Sequence, residues 1–461
     1  MGETVVNSVV ERNLCIGCGV CAGVCPSDFL SIKFNKYGDY NAYQNNRCDI
    51  DCGLCLKICP FFSKNDNEDI LAKDYFSRVT GIKHSIECGY YLKSYYGYSL
   101  ISNHRSRGSS GGLTTWLLEE LFIRKKVDAV ICVVANPDSN KLFRFNICRS
   151  VEEINSSSGS VYYPVELSEV IKFILANEGA YVLVGLPCFI KAIRLGQKYS
   201  LKLKERLKYV VGLACGQLKS KQYTHFVSAM AGIVGNLAEV RYRVKYLREA
   251  SNNFSFVAKD DYGNYAKISW LNGVNNVWNN RWFTPLACSY CDDAFAELAD
   301  VVFMDAWLPE YIPDRRGANL LVVRSEDLSR LISDGFSQKR IYVNSIHLDK
   351  VIRSQNNLLR FKRKQLEYRL YLKKKQGGFE LVKRVSPKNK LNFFEKRETE
   401  IKEKMRAKSR EEYLNLKLDS RTEVALFLRK DLHELLFWRL IYSWLSWPFR
   451  VLKKYTDNAM L

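Results

Sequence analysis

Eight of the fifteen cysteines fall within the first sixty residues, where they form two runs that each end in Cys-Pro. The first run has the spacing C-x2-C-x2-C-x3-C-P, and the second differs from it by one extra residue in its first gap. The runs are Cys15, Cys18, Cys21 and Cys25 before Pro26, and Cys48, Cys52, Cys55 and Cys59 before Pro60. Few folds place so many thiols in so short a stretch, so this pattern limits what the N-terminal region can form.

The spacing is that of bacterial two-cluster ferredoxins, in which the last cysteine of each run ligates the cluster held by the other run. This rule predicts two groups of ligands. The first cysteine set is Cys15, Cys18, Cys21 and Cys59, and the second cysteine set is Cys25, Cys48, Cys52 and Cys55. Each set would hold one 4Fe-4S cluster, so the sequence predicts a protein that transfers electrons.

Disulfides and zinc sites explain these cysteines less well. Disulfides need an oxidising compartment, and no apolar signal-like stretch lies between Met1 and Leu14. Zinc sites favour histidines or two separated CxxC pairs, and the chain has only five histidines. We therefore expect a cytoplasmic iron-sulfur protein.

Apolar segments alternate with segments of helical spacing between about residues 80 and 330. The expected strands are Val127–Val134, Tyr181–Gly185, Tyr209–Leu213 and Val301–Met304, and the expected helices are Gly112–Lys126, Leu167–Asn177 and Cys188–Leu195. This alternation predicts an α/β domain with a mixed, largely parallel sheet. Ligands of such sheets bind beyond the carboxyl ends of the strands, where Pro187-Cys188, Cys215-Gly216 and Asp305 follow the strands.

Four more cysteines could form another iron-sulfur site. Cys188 and Cys215 follow expected strands, while Cys288 and Cys291 form a CxxC pair; we call these four residues the third cysteine set. Buried structural thiols and a redox-active CxxC are the alternatives that the spacing leaves open. The remaining cysteines, Cys88, Cys132 and Cys148, follow no pattern, and we expect Cys132 in the core.

A run of small residues, Gly108-Ser109-Ser110-Gly111-Gly112, directly precedes an expected helix. Small residues at this position let backbone N–H groups and the helix dipole approach a phosphate or a flavin. The run lacks the lysine of a P-loop and is not GxGxxG, so a turn with a helix N-cap is the alternative. A second cluster, Ser156–Ser160, precedes Tyr162-Tyr163 and could line the same site or only connect two elements.

Taken together, these motifs resemble the family of coenzyme F420 hydrogenase and dehydrogenase beta subunits over about residues 10–330. The matching segments are CIGCGVCAGVCP, GSSGG, VGLPCFIKAIR, GLACG, VRYRVK, CSYCDD and ADVVFMDAW. The resemblance implies an FAD-binding α/β domain and a third cluster at the third cysteine set. It also implies flavin contacts at Ser109, Ser110, Gly111, Gly112, Gly159, Ser160, Tyr162, Gly185, Pro187, Arg243, Lys245 and Asp305. It assigns no catalytic residue.

Two departures from the family pattern bear on the substrate. The family usually reads Gly-Ser-Lys-Tyr where this chain has Gly159-Ser160-Val161-Tyr162, and Gly-Asp where it has Met304-Asp305. A lysine near the flavin is therefore missing, and F420 itself is not the favoured substrate. Members of the family reduce other substrates, including chlorophyll intermediates, and some accompany polysaccharide biosynthesis.

The end of the chain is basic. Residues 361–461 carry 26 lysines and arginines against 13 acidic residues, a net charge of +13 out of +21 for the whole chain. We interpret the charge-rich stretch Glu395–Glu412 as a solvated helix or flexible linker. Nucleic-acid binding is not expected, because no nucleic-acid-binding motif accompanies the charge.

The stretch Leu432–Trp447 is apolar around most of a helical wheel, contains three tryptophans, and ends at Pro448. It is shorter than the ~20 apolar residues of a membrane-spanning helix and carries Arg439. An interfacial helix on anionic lipid fits better, and packing on the core or on a second copy of the chain is the alternative.

We therefore expect a ferredoxin domain at 1–75, a domain binding FAD and a 4Fe-4S cluster at 76–370, and a basic helical tail at 371–461. The predicted function is an FAD- and iron-sulfur-dependent oxidoreductase that reduces an organic substrate, with a role in cell-surface polysaccharide synthesis. The alternative is an electron-transfer subunit, linked to F420 or ferredoxin, that serves a separate catalytic partner. Candidate donors are ferredoxin, an NADH oxidase or reduced F420, and the expected location is the cytoplasm or the inner face of the membrane.

Overall fold

A computed structural model describes residues 3–46, 48, 50, 52–101, 103–138, 140–378, 380–414 and 429–445. The strands are β1 (Leu30–Phe34), β2 (Tyr40–Gln44), β3 (Lys83–Ser85), β4 (Gly89–Tyr91), β5 (Lys93–Ser99), β6 (Ala129–Ala135), β7 (Phe143–Cys148), β8 (Tyr181–Gly185), β9 (Leu207–Leu213), β10 (Leu237–Val244), β11 (Ser255–Asp260), β12 (Tyr265–Ser269), β13 (Val301–Asp305), β14 (Asn319–Val323) and β15 (Ile341–Ser345). The α-helices are α1 (Val20–Gly23), α2 (Leu54–Lys57), α3 (Glu68–Phe76), α4 (His104–Arg107), α5 (Leu113–Ile123), α6 (Val151–Ser156), α7 (Ser168–Ala176), α8 (Pro187–Tyr199), α9 (Leu201–Arg206), α10 (Lys221–Ala231), α11 (Asn275–Asn279), α12 (Glu326–Ser337), α13 (Leu348–Ser354), α14 (Asn356–Lys362), α15 (Lys364–Lys375) and α16 (Phe393–Glu411). Residues 429–445 form a further helix, which we call the terminal helix.

The central sheet has eight strands in the order β15-β5-β14-β13-β9-β8-β6-β7. The four middle strands, β13, β9, β8 and β6, are parallel to one another, and they are the four strands expected from the sequence. The strands on both outer sides are antiparallel to their neighbours. The expectation of a mixed α/β sheet with a parallel centre is confirmed.

Helices cover both faces of this sheet, which explains the continuous apolar runs in its middle strands. On β9, the neighbouring residues Val210 and Val211 are both fully buried but belong to opposite layers. One layer includes α5 and α12, and the other includes α7 and α8. The expected helices in this region correspond to α5, α7 and α8.

The cysteine-rich N-terminal region, with its β1-β2 hairpin, packs closely on α7. A Cβ atom added to Gly23 in α1 would lie only 2.6 Å from the Cβ of Ile171. The backbone N–H of Leu167 also donates to the carbonyl of Cys18 at 2.9 Å. The loop that carries the first cysteine set is thus held against the central domain.

The charge-rich stretch after residue 392 forms a helix, as one of the two interpretations predicted, but the helix is packed on one side and not solvated all round. Residues 393–411 form α16, which begins at a capping box formed by Asn392 and Glu395. Ile401 and Met405, one helical turn apart, are buried in the same cluster as Phe283. Charged residues dominate the sequence of α16, so its narrow apolar face was not predicted.

The terminal helix packs one of its sides on α16. Leu435 is fully buried, and Trp438 lies against the rings of Phe393 and Phe394. Trp447 and Pro448, which belong to the same predicted segment, lie outside the described residues. None of the helices in the described ranges is long and apolar enough to cross a bilayer.

Candidate redox site

The first cysteine set is brought together in the structure. Burial raises the pKa of the Cys18 thiol to about 12, with Cys15 adding to the effect. Burial also raises the pKa of Cys21 and Cys59, and both are raised further by Cys18 and Cys15. Thiols that oppose one another's ionisation in this way need positive charge to become thiolates together, and bound iron would supply it.

The second cysteine set lies nearer the surface. Cys52 is exposed, and Cys25, Cys48 and Cys55 are half-buried. Burial raises the pKa of Cys55, with further contributions from Cys52 and Cys25, so three members of the set interact. The extra residue of the second run falls between Cys48 and Cys52, where residues 49 and 51 lie outside the described ranges.

The third cysteine set is assembled from three separate parts of the central domain. Cys188 lies in the first turn of α8, Cys215 follows β9, and Cys288 and Cys291 lie on and just after a 3-10 turn, Leu286–Tyr290. Burial raises the pKa of Cys188, with Cys291, Cys215 and Cys288 adding to the shift in that order. Four thiols from distant positions in the sequence therefore share one buried location.

Polar hydrogens already point at this third set. The backbone N–H of Leu218 donates to Cys288 Sγ at 3.2 Å, and Lys362 Nζ donates to Cys291 Sγ at 3.0 Å. Two buried donor atoms of Arg281, Nε and Nη2, have no partner, and this guanidinium interacts with Cys288 and Cys215. Donors aimed at thiolates suit an anionic iron-sulfur cluster, so the residues fit such a group.

Zinc, the alternative considered for the N-terminal cysteines, would need a tighter grouping of thiols than a 4Fe-4S cluster. A zinc ion holds each sulfur about 2.3 Å from a single centre. Within the described residues, no group of three or more His, Cys, Asp or Glu side chains is placed to hold one metal ion. A 4Fe-4S cube differs because each cysteine binds its own iron atom, which spreads the sulfurs apart.

The three sets follow one another into the molecule. Cys55, in the second set, interacts electrostatically with Cys21 of the first set. Cys18, also of the first set, interacts with Cys188 of the third set. The three cysteine sets are therefore neighbours of one another, and they extend from the exposed Cys52 to the interior of the central domain.

A cavity of about 1230 Å³ lies beyond the carboxyl ends of the parallel strands. Gly185 at the end of β8, Leu213 at the end of β9 and Asp305 at the end of β13 line it, as does Cys215. Cys15 of the first set also reaches this cavity. The position agrees with the sequence expectation for a parallel sheet.

The two segments rich in serine and glycine, Gly108–Gly112 and Ser156–Ser160, meet at this cavity. The backbone N–H of Ser160 donates to Ser109 Oγ at 2.7 Å, and Ser110 Oγ donates to the carbonyl of Ala318 at 2.5 Å. Gly112 has a φ of +77°, a conformation that suits glycine, and it begins α5. Gly111 packs tightly, since an added Cβ would lie 2.8 Å from Asn319. The arrangement presents the N-terminus of an eleven-residue helix to the cavity, which fits the phosphates of a flavin nucleotide.

Arg243 on β10 faces the same space and is fixed by Asp305. Its Nη1 and Nη2 atoms donate to the two carboxylate oxygens at 2.8 and 3.0 Å. Burial opposes the charge of this arginine, but Asp305 and Tyr162 outweigh burial and raise its pKa. Arg243 Nε is buried without a partner, so the side chain is held in place with one donor unsatisfied.

Nine of the twelve residues that the resemblance assigns to the flavin line the cavity, and Gly111, Pro187 and Lys245 do not. Lys245 Nζ instead donates to the backbone carbonyls of Arg105, Ser110 and Arg316. It therefore stabilises the segment Gly108–Gly112 from outside the cavity. Burial lowers the pKa of Lys245 to about 7, with the nearby Arg105 and Arg243 adding to the shift. Val161 and Met304, the departures from the family pattern, both line the cavity.

The sequence reasoning missed the contribution of the C-terminal segment. Residues from α13, α14, α16 and the terminal helix also line the cavity: Arg353, Asn356, Arg360, Glu398, Lys402 and Arg439. Glu398 accepts from Arg439 at 2.8 Å and pairs with Lys402 at 3.0 Å, so these elements form one wall. The reasoning also missed that Cys132 and Cys148, on neighbouring strands, have sulfur atoms 3.5 Å apart.

Comparison with known families identifies the chain. Residues 94–172 and 179–348 match the N-terminal and C-terminal parts of the coenzyme F420 hydrogenase/dehydrogenase beta subunit, and residues 14–63 match the 4Fe-4S dicluster domain. The chain belongs to the family of coenzyme F420 hydrogenase/dehydrogenase beta subunits, as the sequence motifs indicated. It is an iron-sulfur member of a family of oxidoreductases.

Individual relatives are distant. A coenzyme F420-dependent sulfite reductase of Methanocaldococcus jannaschii is 23% identical over 71% of this chain and 46% of its own length. One of the subunits of the F420H2 dehydrogenase of Methanosarcina mazei is 20% identical over 46% of this chain and 55% of its own length. The chain therefore spans about half the length of these curated relatives. Among solved structures, a chain of the F420-reducing NiFe hydrogenase complex from Methanosarcina barkeri aligns with a TM-score of 0.48 and 15% identity, over 63% of this chain and 96% of that one.

Proposed function

We propose that this chain is an iron-sulfur flavoprotein subunit that carries single electrons through three 4Fe-4S clusters to FAD and exchanges them with a separate catalytic partner. The observation that carries the proposal is the succession of three cysteine sets leading from exposed Cys52 to the cavity at the sheet edge. Flavins convert single electrons into two-electron steps, so a flavin at the inner end would complete the relay.

The residues would divide the work of holding these groups. The three cysteine sets would bind the clusters, and the loop from Gly108 to Gly112 would hold the flavin phosphates at the N-terminus of α5. Arg243 would face the flavin with its unpaired Nε, while Asp305 fixes its orientation.

The donor or acceptor is proposed to be F420-linked or ferredoxin-linked. Two relatives are named for F420, which supports the first choice. Val161 stands at the cavity where the family pattern has lysine, so the chain lacks one cation that an anionic deazaflavin could use. Anaerobic reduction with ferredoxin, NADH and reduced F420 would distinguish these partners.

Anaerobic purification followed by iron, sulfide and flavin analysis tests the relay. We expect about twelve irons and one FAD per chain, since each cluster contributes four irons. About eight irons, or no flavin, would contradict the proposal.

The second candidate is an enzyme that reduces an organic substrate over its own flavin, for example a precursor in polysaccharide biosynthesis. The cavity volume of about 1230 Å³ favours it, because this volume exceeds the roughly 300–1,000 Å³ of common ligand pockets and would leave space for a substrate beside a flavin. Turnover by the isolated chain, without a partner, would support this candidate over the electron-transfer role.

We further propose that the terminal helix binds the surface of an anionic membrane. Its outer side exposes Phe437, Leu440 and Trp444, with Trp444 78% exposed, while Leu435 is buried against the body. An apolar, tryptophan-bearing face on a strongly basic segment is typical of interfacial helices.

Vesicle flotation tests the membrane proposal. The full chain should float with vesicles containing anionic phosphatidylglycerol and remain unbound with neutral phosphatidylcholine. A Leu440→Ser/Trp444→Ser variant should lose binding while keeping its iron and flavin. Stable dimers in place of vesicle binding would instead assign the face to a second copy of the chain.

A further inference from the structure

Cations surround the third cysteine set. Lys362, only 2% exposed, donates from Nζ to Cys291 Sγ at 3.0 Å and to the carbonyl of Asp293 at 2.7 Å. Lys383 also interacts with Cys291, and it pairs with Asp292 at 3.5 Å. Lys362 and Lys383 both lie after residue 348, beyond the matched part of the family, so they are contributed by this chain's own C-terminal segment.

Two more basic side chains approach the same sulfurs from within the central domain. Arg281 is 5% exposed and interacts with Cys288 and Cys215. Lys219, 3% exposed, interacts with Cys288 and donates to the carbonyl of Trp282 at 2.7 Å. Burial and the charge of Arg281 lower the pKa of Lys219 well below its usual value, so Lys219 is not counted as a cation. The third set therefore has three buried cations around it, Lys362, Lys383 and Arg281, beside the buried carboxyl groups of Asp292 and Asp293.

The first cysteine set has different surroundings. The backbone N–H of Gly17 donates to Cys15 Sγ at 3.4 Å. Two carboxyl groups lie beside this set: Asp39 raises the pKa of Cys15, and Glu166 raises the pKa of Cys18. Asp39 is itself paired with Arg410, so the local charge there is closer to balance.

Reducing a cluster adds one negative charge to it, so nearby cations stabilise its reduced form. This effect is strong in a buried site, where charges are poorly screened, and it is one of the means by which proteins set cluster potentials. We propose that Lys362 and Lys383 raise the reduction potential of the cluster at the third cysteine set above the potentials of the two N-terminal clusters. One electron at a time then passes from a reduced N-terminal cluster to the oxidised third cluster, with no atom or proton transferred.

The consequence is a relay in which electrons collect next to the cavity, and the C-terminal segment sets its direction. This inference rests on the proposed function, because it requires a cluster at the third cysteine set. It adds a role for residues that bind neither cluster nor flavin: Lys362 and Lys383 are positioning residues that act on the cluster through charge.

A redox titration followed by electron paramagnetic resonance, using the full chain loaded anaerobically, tests the inference. The signal absent from a Cys215→Ser variant identifies the third cluster. In the unaltered protein, this signal should appear at the highest potential of the three. In Lys362→Gln and Lys383→Gln it should move to lower potential, while the other two signals stay in place.

Lys198→Gln is the matched control, because Lys198 lies on α8 outside the cavity and pairs with Asp66 and Asp74 at 3.0 Å. It should leave all three potentials unchanged. If Lys362→Gln loses the third cluster, Lys383→Gln decides the outcome, since Lys383 donates its hydrogen bond to Asp292.

Twelve irons with a third-cluster potential that neither substitution moves, or that lies below the other two, would overturn this inference and leave the proposed function intact. About eight irons in the unaltered protein would overturn the proposed function and this inference with it.

Discussion

Arg410, near the end of α16, is paired with Asp39, which precedes β2 and lines the cavity. Their side chains are only 10% and 9% exposed. Burial raises the pKa of Asp39, and Arg410 works against that shift by favouring the carboxylate. The pair joins α16 to the region that carries the first cysteine set.

Substituting Arg410 should destabilise the whole chain. Arg410→Gln leaves a buried carboxylate without its counter-charge, a change that typically costs about 3–5 kcal/mol. Thermal unfolding of the loaded protein would show the loss. Lys350→Gln is the control, because Lys350 and its partner Glu310 are both half-exposed, and it should cost less than about 1 kcal/mol. The double variant Asp39→Asn/Arg410→Gln should recover part of the stability; a double variant no more stable than Arg410→Gln would contradict this account.

Flavin retention should depend on Arg243. Arg243→Gln removes a guanidinium that Asp305 holds in the cavity. A hydrogen bond from a charged group contributes about 1.5–3 kcal/mol, so its loss should weaken flavin binding roughly 10- to 100-fold. Flavin released per chain on desalting measures the change. Arg241→Gln, two residues away on the same strand but exposed, should retain flavin like the unaltered protein. Equal flavin retention in both variants would show that Arg243 does not bind the flavin.

The iron count should separate cluster ligands from structural thiols. Cys188→Ser and Cys288→Ser should each lower the iron content from about twelve to about eight per chain. Cys88 is a fully buried cysteine outside all three sets, so Cys88→Ser should keep the full iron content. If Cys188→Ser and Cys288→Ser both keep about twelve irons per chain, these two cysteines are structural thiols and not cluster ligands.

Stability should fall with acid through His225. Burial, with a smaller contribution from Lys221, lowers the pKa of this histidine from 6.5 to about 4. Between those two pH values the unfolded chain binds a proton that the folded chain does not, so stability decreases as the pH falls through this window. His225→Gln should lose less stability than the unaltered protein between pH 7 and pH 5.5, measured as unfolding midpoints. His347→Gln, at an exposed histidine, should follow the unaltered protein.

The central strands could be predicted because each is buried on both faces. Val210 and Val211 pack into opposite layers, so β9 reads as an uninterrupted apolar run. The antiparallel outer strands gave a weaker signal. The sequence of β5, KSYYGYS, mixes polar and aromatic residues, and β15 alternates buried and exposed positions over only five residues.

The candidate site was predictable where the signal is local. The spacing of the N-terminal cysteines and the small residues before α5 are short-range patterns. Lys362 could not be found in this way, because its contact with Cys291 joins positions 71 residues apart. The packing of α16 was hidden for another reason: only a narrow stripe, including Ile401 and Met405, is apolar on a helix dominated by charge.

The pairing of Asp39 with Arg410 also has a consequence for biosynthesis. The two residues are 371 positions apart, and synthesis at ≈ 5–20 residues per second separates their appearance by roughly 20 to 75 s. During that interval the N-terminal region has left the ribosome, but the Asp39 carboxylate has no Arg410 to pair with. The interaction that joins the N-terminal region to α16 therefore forms only when most of the chain has been made, so the buried Asp39 gains its counter-charge late in synthesis.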